Sequence, residues 1–135
     1  MDFIKVWIPL KEEQTKMQKV NLTEKFSLFS DYSSPKIAGE LNGQQVKLVK
    51  LKGEFVWHHH ETEDELFYVA KGSFDMHFRD RIVTVNEGEF LIVPHGVEHK
   101  PVANEEVHIM LFEPATTLNT GNTVNEKTVK ELDRI

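Results

Sequence analysis

The stretch GEFVWHHHETEDELFYVAKG, residues 53–72, carries the strongest structural signals of the chain. Its two halves, 54–60 and 65–71, are rich in aromatic and β-branched residues, a composition typical of β-strands. Four polar residues, 61–64, separate the halves, and a glycine bounds the stretch at either end. This arrangement predicts two short strands joined by a turn.

The same texture extends over most of the chain. Runs rich in Val, Ile, Phe and Leu alternate with turn signals such as Asn42-Gly43 and Asn104-Glu105. Strands of this length and spacing predict an all-β fold, an antiparallel β-sandwich or barrel. No helical period intervenes, which argues against a parallel sheet. The nine candidate strands are 37–41, 45–52, 54–60, 65–71, 73–79, 82–85, 89–93, 97–103 and 106–112.

The flanking segments follow other patterns. Asn21 is a candidate N-cap with Glu24 three residues further on, which predicts a short N-terminal helix. The tail after Pro114 is rich in Thr, Asn and Gly. We therefore divide the chain into an N-terminal extension with a short helix, 1–36, a β-barrel, 37–114, and a C-terminal tail, 115–135.

Two histidines of the opening stretch share a predicted strand face. Because strand side chains alternate, His58 and His60 point one way and His59 the other. Residues 61–64 turn the chain, so that Glu65 begins a strand that folds back beside His60. Two imidazoles and a carboxylate then converge, and such ligands suit Fe, Mn, Zn, Ni or Cu(II).

The local pattern leaves alternatives open. The three consecutive histidines can also decorate a surface, and the acidic stretch 61–65 can be a solvated loop. Glu63 has the same strand parity as Glu65, so parity does not choose between the two carboxylates. On these residues alone, metal binding and a solvated surface are equal alternatives.

A second stretch, GEFLIVPHGVEH at residues 88–99, changes that balance. It predicts a strand, a tight turn and a second strand that carries His99. Pro94 has a restricted φ and Gly96 permits a reversal of the chain. Taken alone, the stretch also fits an ordinary hairpin with an exposed histidine.

Together the two stretches resemble the cupin superfamily. The first cupin motif runs Gly, His-x-His, Glu, Gly, and the second runs Gly, Pro-x-Gly, His, Asn. Two departures stand out: the first gap is one residue shorter than the common form, and Ala103 occupies the final Asn position. Neither position touches a ligand in the family pattern. The matching residues are Gly53, His58, His60, Glu65 and Gly72 in the first motif, and Gly88, Pro94, Gly96 and His99 in the second.

The resemblance implies a jelly-roll cupin fold, a double-stranded β-helix. It also implies that His58, His60, Glu65 and His99 bind a divalent transition metal, which leaves two positions of a six-coordinate ion for water or substrate. The site would be net positive and would favour anionic or chelating molecules. Phe67 shares the parity of Glu65, so we expect it in the apolar wall near the metal.

The activity is less defined than the fold, because the same cupin ligand set serves oxygenases, isomerases, lyases and storage proteins. We expect a metal-dependent enzyme of the dioxygenase or sugar-isomerase type that acts on a small polar or anionic molecule. A non-catalytic metal- or ligand-binding cupin is the alternative. Short cupins like this one are often described as mannose-6-phosphate isomerase-like, but that label reflects the fold more than the site. No residue stands out as a catalytic acid or base.

Composition excludes other classes of protein. The chain has 16 basic and 22 acidic residues, no cysteine and seven histidines, for a net charge of −6. Any metal must therefore have nitrogen and oxygen ligands, and a general basic field for nucleic acid is absent. No stretch of about 18 apolar residues predicts a membrane span, and no signal peptide is recognisable. We expect a cytoplasmic protein with a small-molecule partner and no nucleic-acid or membrane partner.

Strand parity also predicts an outward apolar surface. If the ligand residues point inward, Phe55, Trp57, Leu66 and Tyr68 point outward and form a patch. We expect this patch to form a homodimer interface, as sheet-to-sheet pairing is common among the cupins that the chain resembles. The alternative is that the N-terminal helix and the tail cover the patch within one chain.

Overall fold

Alternating buried and exposed side chains build the strands of residues 17–135, the part of the chain that this computed structural model describes. The prediction of an all-β antiparallel jelly roll is confirmed. The first sixteen residues of the predicted extension lie outside the described part. The strands are β1 (Lys36–Leu41), β2 (Gln44–Glu54), β3 (Glu65–Lys71), β4 (Ser73–Phe78), β5 (Ile82–Asn86), β6 (Phe90–Val93) and β7 (His99–Pro114).

Strand β7 organises the sheet, because it pairs with three other strands. Its first residues pair with β4, from Asp75↔Val102 to Phe78↔His99. Its second half pairs with β2 on one side and β3 on the other. The sheet order is β1-β2-β7-β3-β6, with β5 paired to β4. Strand β7 thus connects the two walls of the fold and places its first residue, His99, where they meet.

Two predicted strands, 97–103 and 106–112, are wrong as separate elements. They form the single strand β7, in which residues 104–106 remain in the strand and are exposed. Polar residues there read as a turn, yet they form a bulge, because the register with β2 passes from Leu51↔Val107 to Gly53↔Ala103 and leaves all three outside the paired positions. The signal at Asn104-Glu105 therefore marks an exposed bulge rather than a reversal.

The predicted strand 54–60 is also wrong. Strand β2 continues to Glu54 through a register shift at Gly53, whose φ of 84° suits the glycine of a β-bulge. Residues 55–64 contain only the isolated bridge His58↔His99. The histidine segment, which we define as residues 55–60, is therefore an irregular connection laid against β7.

The core lies between the walls of the jelly roll. Inward residues of the strands form one apolar cluster that includes Val49, Val69, Met76 and Ile109. On β7 the buried positions alternate through Val107, Ile109 and Leu111. The same alternation brings the next inward position, residue 113, to one end of the core.

The helix α1 (Leu22–Phe26) confirms the predicted N-terminal helix. The Asn21 side chain accepts a hydrogen bond from the backbone N–H of Glu24 at 3.0 Å, as the capping pattern predicts. Phe26 is buried and stacks on His108 with ring centroids 4.6 Å apart. The helix thus covers part of the outer sheet face. Among the described residues, no helix is long and apolar enough to cross a membrane.

The predicted outer patch is wrong for one of its four residues, Phe55. Phe55 faces inward, with its ring 5.5 Å from that of His58 in an edge contact. Trp57 lies under the guanidinium of Arg79, 3.8 Å from the ring centroid. Phe55 deviates because residues 55–60 do not keep the parity of a regular strand, whereas the Trp57 ring stacks against a surface side chain. Leu66 and Tyr68 remain on the outer face.

Candidate metal centre

The histidine segment is held against β7 by backbone hydrogen bonds. His58 N–H donates to His99 O at 3.1 Å, and His99 N–H donates to His58 O at 2.9 Å. Beyond them, Gly96 N–H donates to His60 O at 2.7 Å. These bonds place two histidines of the segment beside the first residue of β7, while Glu65 enters as the first residue of β3.

The four residues carried over from the cupin motifs converge. One ligand atom from each of His58, His60, Glu65 and His99 lies within 4.8 Å of the other three. All four residues are nearly inaccessible, with between 0% and 4% of their surface exposed. Glu65 Oε1 is 2.7 Å from His60 Nε2 and 3.2 Å from His99 Nε2. Three imidazoles and one carboxylate therefore face a common point.

Backbone carbonyls orient two of the imidazoles. Nδ1 of His58 lies 2.9 Å from Val56 O, and Nδ1 of His99 lies 2.8 Å from Val97 O. A carbonyl oxygen only accepts, so each Nδ1 carries the proton and each Nε2 presents a lone pair. Metal-binding histidines typically have this second contact, which sets both the tautomer and the direction of the ring.

Buried atoms at the centre lack hydrogen bonds. Among the described residues, His60 Nε2, His99 Nε2 and Glu65 Oε1 are buried without a donor or acceptor of suitable geometry. Their separations are short, but lone pairs that face one another do not form hydrogen bonds. Such unsatisfied atoms are costly to bury. A cation shared by these lone pairs would remove that cost, so the residues fit a metal ion.

Two of the candidate ligands, His58 and Glu65, have the protonation states that metal binding requires. Burial, assisted by the neighbouring His99, lowers the pKa of His58 to about 4, so this imidazole is neutral at neutral pH. Burial alone would raise the pKa of Glu65, but its close neighbours Glu113, His60 and His99 outweigh this effect and hold that pKa well below its usual range. A neutral imidazole and an ionised carboxylate are the binding forms.

A buried ion pair beside the centre was missed by the sequence analysis. Lys47 Nζ lies 2.8 Å from Glu113 Oε1, and 2% of each side chain is exposed. Burial, and the negative charge of the neighbouring Glu65, raise the pKa of Glu113 well above its usual value. Glu113 Oε2 is buried without a hydrogen-bond partner. Parity could have found the pair, since residues 47 and 113 are charged and continue the inward alternation of β2 and β7.

A narrow cavity of about 30 Å³ adjoins the centre. Its polar lining includes His58, Glu65 and Glu113, and its apolar wall includes Phe55 and Phe67. The expectation that Phe67 lies near the centre is confirmed, since its ring centroid is 6.2 Å from that of His99. A cavity of this size holds one or two waters, and its mixed lining suits the polar end of a small ligand.

The alternative carboxylate and the other histidines lie elsewhere. Glu63 accepts a hydrogen bond from Thr116 Oγ1 at 2.9 Å and is outside the cluster. His59 contacts Glu61, and His95 contacts Asp64 at the surface. His108 belongs to the outer face, beneath α1. The structure thus places Glu65, and not Glu63, in the cluster, a choice that strand parity left open.

Comparisons with known proteins agree with this architecture. A family model described as the cupin domain matches residues 46–113. A cupin-2 domain containing protein from Shewanella frigidimarina is 50% identical, covers 75% of this chain and 97% of its own, and has a TM-score of 0.71. Protein NMB1881 from Neisseria meningitidis is 30% identical, with coverage of 73% and 100% and a TM-score of 0.67.

A curated relative matches a shorter part of the chain. The uncharacterized protein YdbB from Bacillus subtilis is 37% identical over 62 residues, which are 45% of this chain. The chain spans 55% of the length of that relative. The family model spans β2 to β7 almost completely, and the Shewanella protein matches over nearly its whole length. The chain therefore belongs to the cupin family.

Proposed function

We propose that this cupin binds one divalent first-row transition metal through His58, His60, Glu65 and His99. It then acts as a metal-dependent enzyme on a small polar or anionic molecule. One observation carries the proposal: four buried ligand atoms converge, and three of them lack any hydrogen bond. A single shared cation would satisfy all three of these atoms at one point.

The proposed chemistry follows from the ligand set. A bound ion supplies Lewis acidity or, as Fe(II), a place where substrate and O₂ meet, which supports a dioxygenase or sugar-isomerase type of reaction. The ion and Glu65 together are net positive, which favours carboxylates, enediols and sugar phosphates. Phe55 and Phe67 exclude water from one side of the ligand, while Glu113 contributes a polar atom to the same cavity.

Metal content tests the proposal directly. Protein purified without chelators, and then offered Fe, Mn, Zn, Ni and Cu in turn, should retain about one equivalent of at least one metal. His58→Ala and His99→Ala should lose it. His77→Ala is the matched control, because His77 is only partly buried on β4 and lies outside the cluster. Elemental analysis gives the readout, and wild-type protein that retains none of these metals contradicts the proposal.

A turnover screen separates an enzyme from a binding module. Carboxylates, enediols and sugar phosphates are incubated with the metal-loaded protein in air and under anaerobic conditions. We expect turnover by wild-type protein and its loss in His99→Ala, with O₂ uptake if the metal is iron. Metal that is bound tightly without any turnover supports the non-catalytic alternative instead.

We also propose a homodimer formed through the outer face of β3, β6 and β7. Register places Leu66 beside Ile92 and Phe112, and Tyr68 beside Phe90 and Met110. Phe90 and Ile92 are 62% and 53% exposed on the edge strand. A continuous apolar face of this kind typically marks an interface. The cytoplasmic location stays a prediction.

A further inference from the structure

The C-terminal tail contacts the histidine segment on the side away from β7. Asn122 bonds both peptide groups of His59: its Oδ1 accepts from His59 N–H at 2.9 Å, and its backbone N–H donates to His59 O at 3.1 Å. Thr123 Oγ1 donates to Trp57 O at 3.0 Å. Tail residues 121–123 thus bond an irregular segment as a neighbouring strand would.

We propose that tail residues 121–123 position the metal ligands of the histidine segment, with Asn122 and Thr123 as positioning residues. The proposal rests on the metal site proposed above. His58 and His60 flank His59, the residue that Asn122 bonds on both its N–H and its C=O. These two bonds hold the backbone of His59 in place, and they therefore fix the positions from which the His58 and His60 side chains project.

The physical need arises because the segment is not a strand. Its backbone bonds to β7 through the N–H of Phe55 and through the His58–His99 pair, and its remaining polar groups require other partners. The tail supplies them at His59 and Trp57. The Asn122 side chain is exposed, so water competes for its bond, while Thr123 is partly buried and its bond is better protected.

Gly121 provides an independent observation. A Cβ at this residue would collide with the carbonyl of His59 and would lie 3.1 Å from Cδ2 of the His58 imidazole. The φ of Gly121 is 53°, a region that side chains disfavour. The tail therefore packs directly on one ligand ring, and only glycine permits that approach.

The tail itself is anchored at several points, which makes it a support rather than a loose end. Asn119 donates to Lys127 O at 2.9 Å and accepts from Val129 N–H at 2.9 Å. Hydroxyls of Thr120 and Thr128 bond at 2.6 Å. Near the end of the chain, Ile37 N–H donates to Asp133 O at 2.8 Å, which joins the tail to β1.

A pair of double variants tests the proposal by metal affinity. Asn122→Ala/Thr123→Val removes the two side-chain bonds to the segment. Thr116→Val/Asn125→Ala makes the same replacements in the tail, where the lost bonds go to Glu63 and to Lys127 N–H. Competition with a chelating dye should show affinity about 10-fold weaker or more in the first variant, and near wild type in the second. The single variant Asn122→Asp keeps both Thr123 and an acceptor for His59 N–H, so its metal affinity should be near that of wild type.

Hydrogen exchange of the metal-free proteins tests the same inference without any metal. The amides of His58 and His99 bond to each other's carbonyls and do not touch the tail. Their exchange should be several-fold faster in Asn122→Ala/Thr123→Val, and also in Gly121→Ala, than in the control variant. If the exchange at His58 and His99 equals that of the control, the inference is overturned, whatever the affinity. Wild-type protein that binds no metal would instead overturn only the proposed function.

Discussion

At the scale of single residues, the centre combines charges that are rarely buried. Glu65 and Glu113 are neighbours, and Lys47 is the cation that compensates Glu113. Two adjacent carboxyl groups in a dry site repel when both are ionised, so each depends on its partners. Lys47 pairs with Glu113, which in turn lies beside the proposed ligand Glu65. The ion pair thus connects the far wall of the fold to the candidate metal centre.

Removing one charge of this ion pair should lower the free energy of unfolding more than removing both charges does. Lys47→Met leaves Glu113 buried without a cation, and we expect the free energy of unfolding to fall by about 3 kcal/mol. The double variant Lys47→Met/Glu113→Leu removes both charges and should recover most of that loss. Urea denaturation of metal-free protein measures both. A Lys47→Met variant within about 0.5 kcal/mol of wild type, the usual range of surface substitutions, would contradict the expectation.

The buried His58 predicts a pH dependence of stability in the metal-free protein. Its pKa is lowered from 6.5 to about 4, so between these values the unfolded chain binds the proton and the folded chain does not. Stability contributed by the neutral imidazole is present above pH 6.5 and is lost as the pH falls towards 4, by up to about 3 kcal/mol.

Chemical denaturation at intervals across that range measures the slope. His58→Asn serves as the comparison, because it removes the titrating group at the same position. The two proteins should diverge below pH 6.5. Parallel stability profiles would show that His58 does not titrate with a lowered pKa.

At the scale of elements, helix α1 illustrates how local and tertiary signals combine. Five residues are too few for a helix to be stable alone. The Asn21 cap satisfies the N–H of Glu24, and Phe26 docks on His108 of β7. The cap can be predicted from the spacing of Asn21 and Glu24. The docking partner of Phe26 cannot be predicted in this way, because His108 lies more than eighty residues further along the chain.

The Asn21 cap should contribute measurably to the stability of the folded protein. Asn21→Ala should lower the free energy of unfolding by about 1 kcal/mol, because Glu24 N–H loses its acceptor. Asn21→Asp keeps an acceptor and should remain within a few tenths of wild type. Thermal denaturation of the three proteins compares them. Equal losses in both variants would mean that the side-chain oxygen is not what stabilises the helix.

At the scale of the whole molecule, the outer face of β3, β6 and β7 predicts association. We expect wild-type protein to sediment as a dimer at micromolar concentration. Phe90→Lys/Ile92→Lys places two charges on the edge strand and should give a monomer. Ile82→Lys is the control, because Ile82 is 59% exposed but lies on β5, away from this face. A wild-type monomer under these conditions would refute the proposed dimer.

The sequence by itself determined the class of fold and the residues of the candidate centre. Strand composition and turn spacing act locally, so they were sufficient to predict an antiparallel all-β chain. The spacing of His58, His60, Glu65 and His99 matches a family pattern, and the structure brings these four together. Parity alone could not choose Glu65 over Glu63, because that choice depends on how the turn folds back.

Only the tertiary structure decided the contacts between distant parts of the chain. Lys47 and Glu113 are 66 residues apart, and His59 and Asn122 are 63 apart. Parity places Lys47 and Glu113 on inward strand faces, but which residues meet in either pairing depends on how strands and tail pack rather than on neighbours in sequence. The same reason explains the errors at 54–60 and at 97–112: whether a polar or glycine-containing stretch turns, bulges or continues depends on which chain lies beside it and satisfies its backbone.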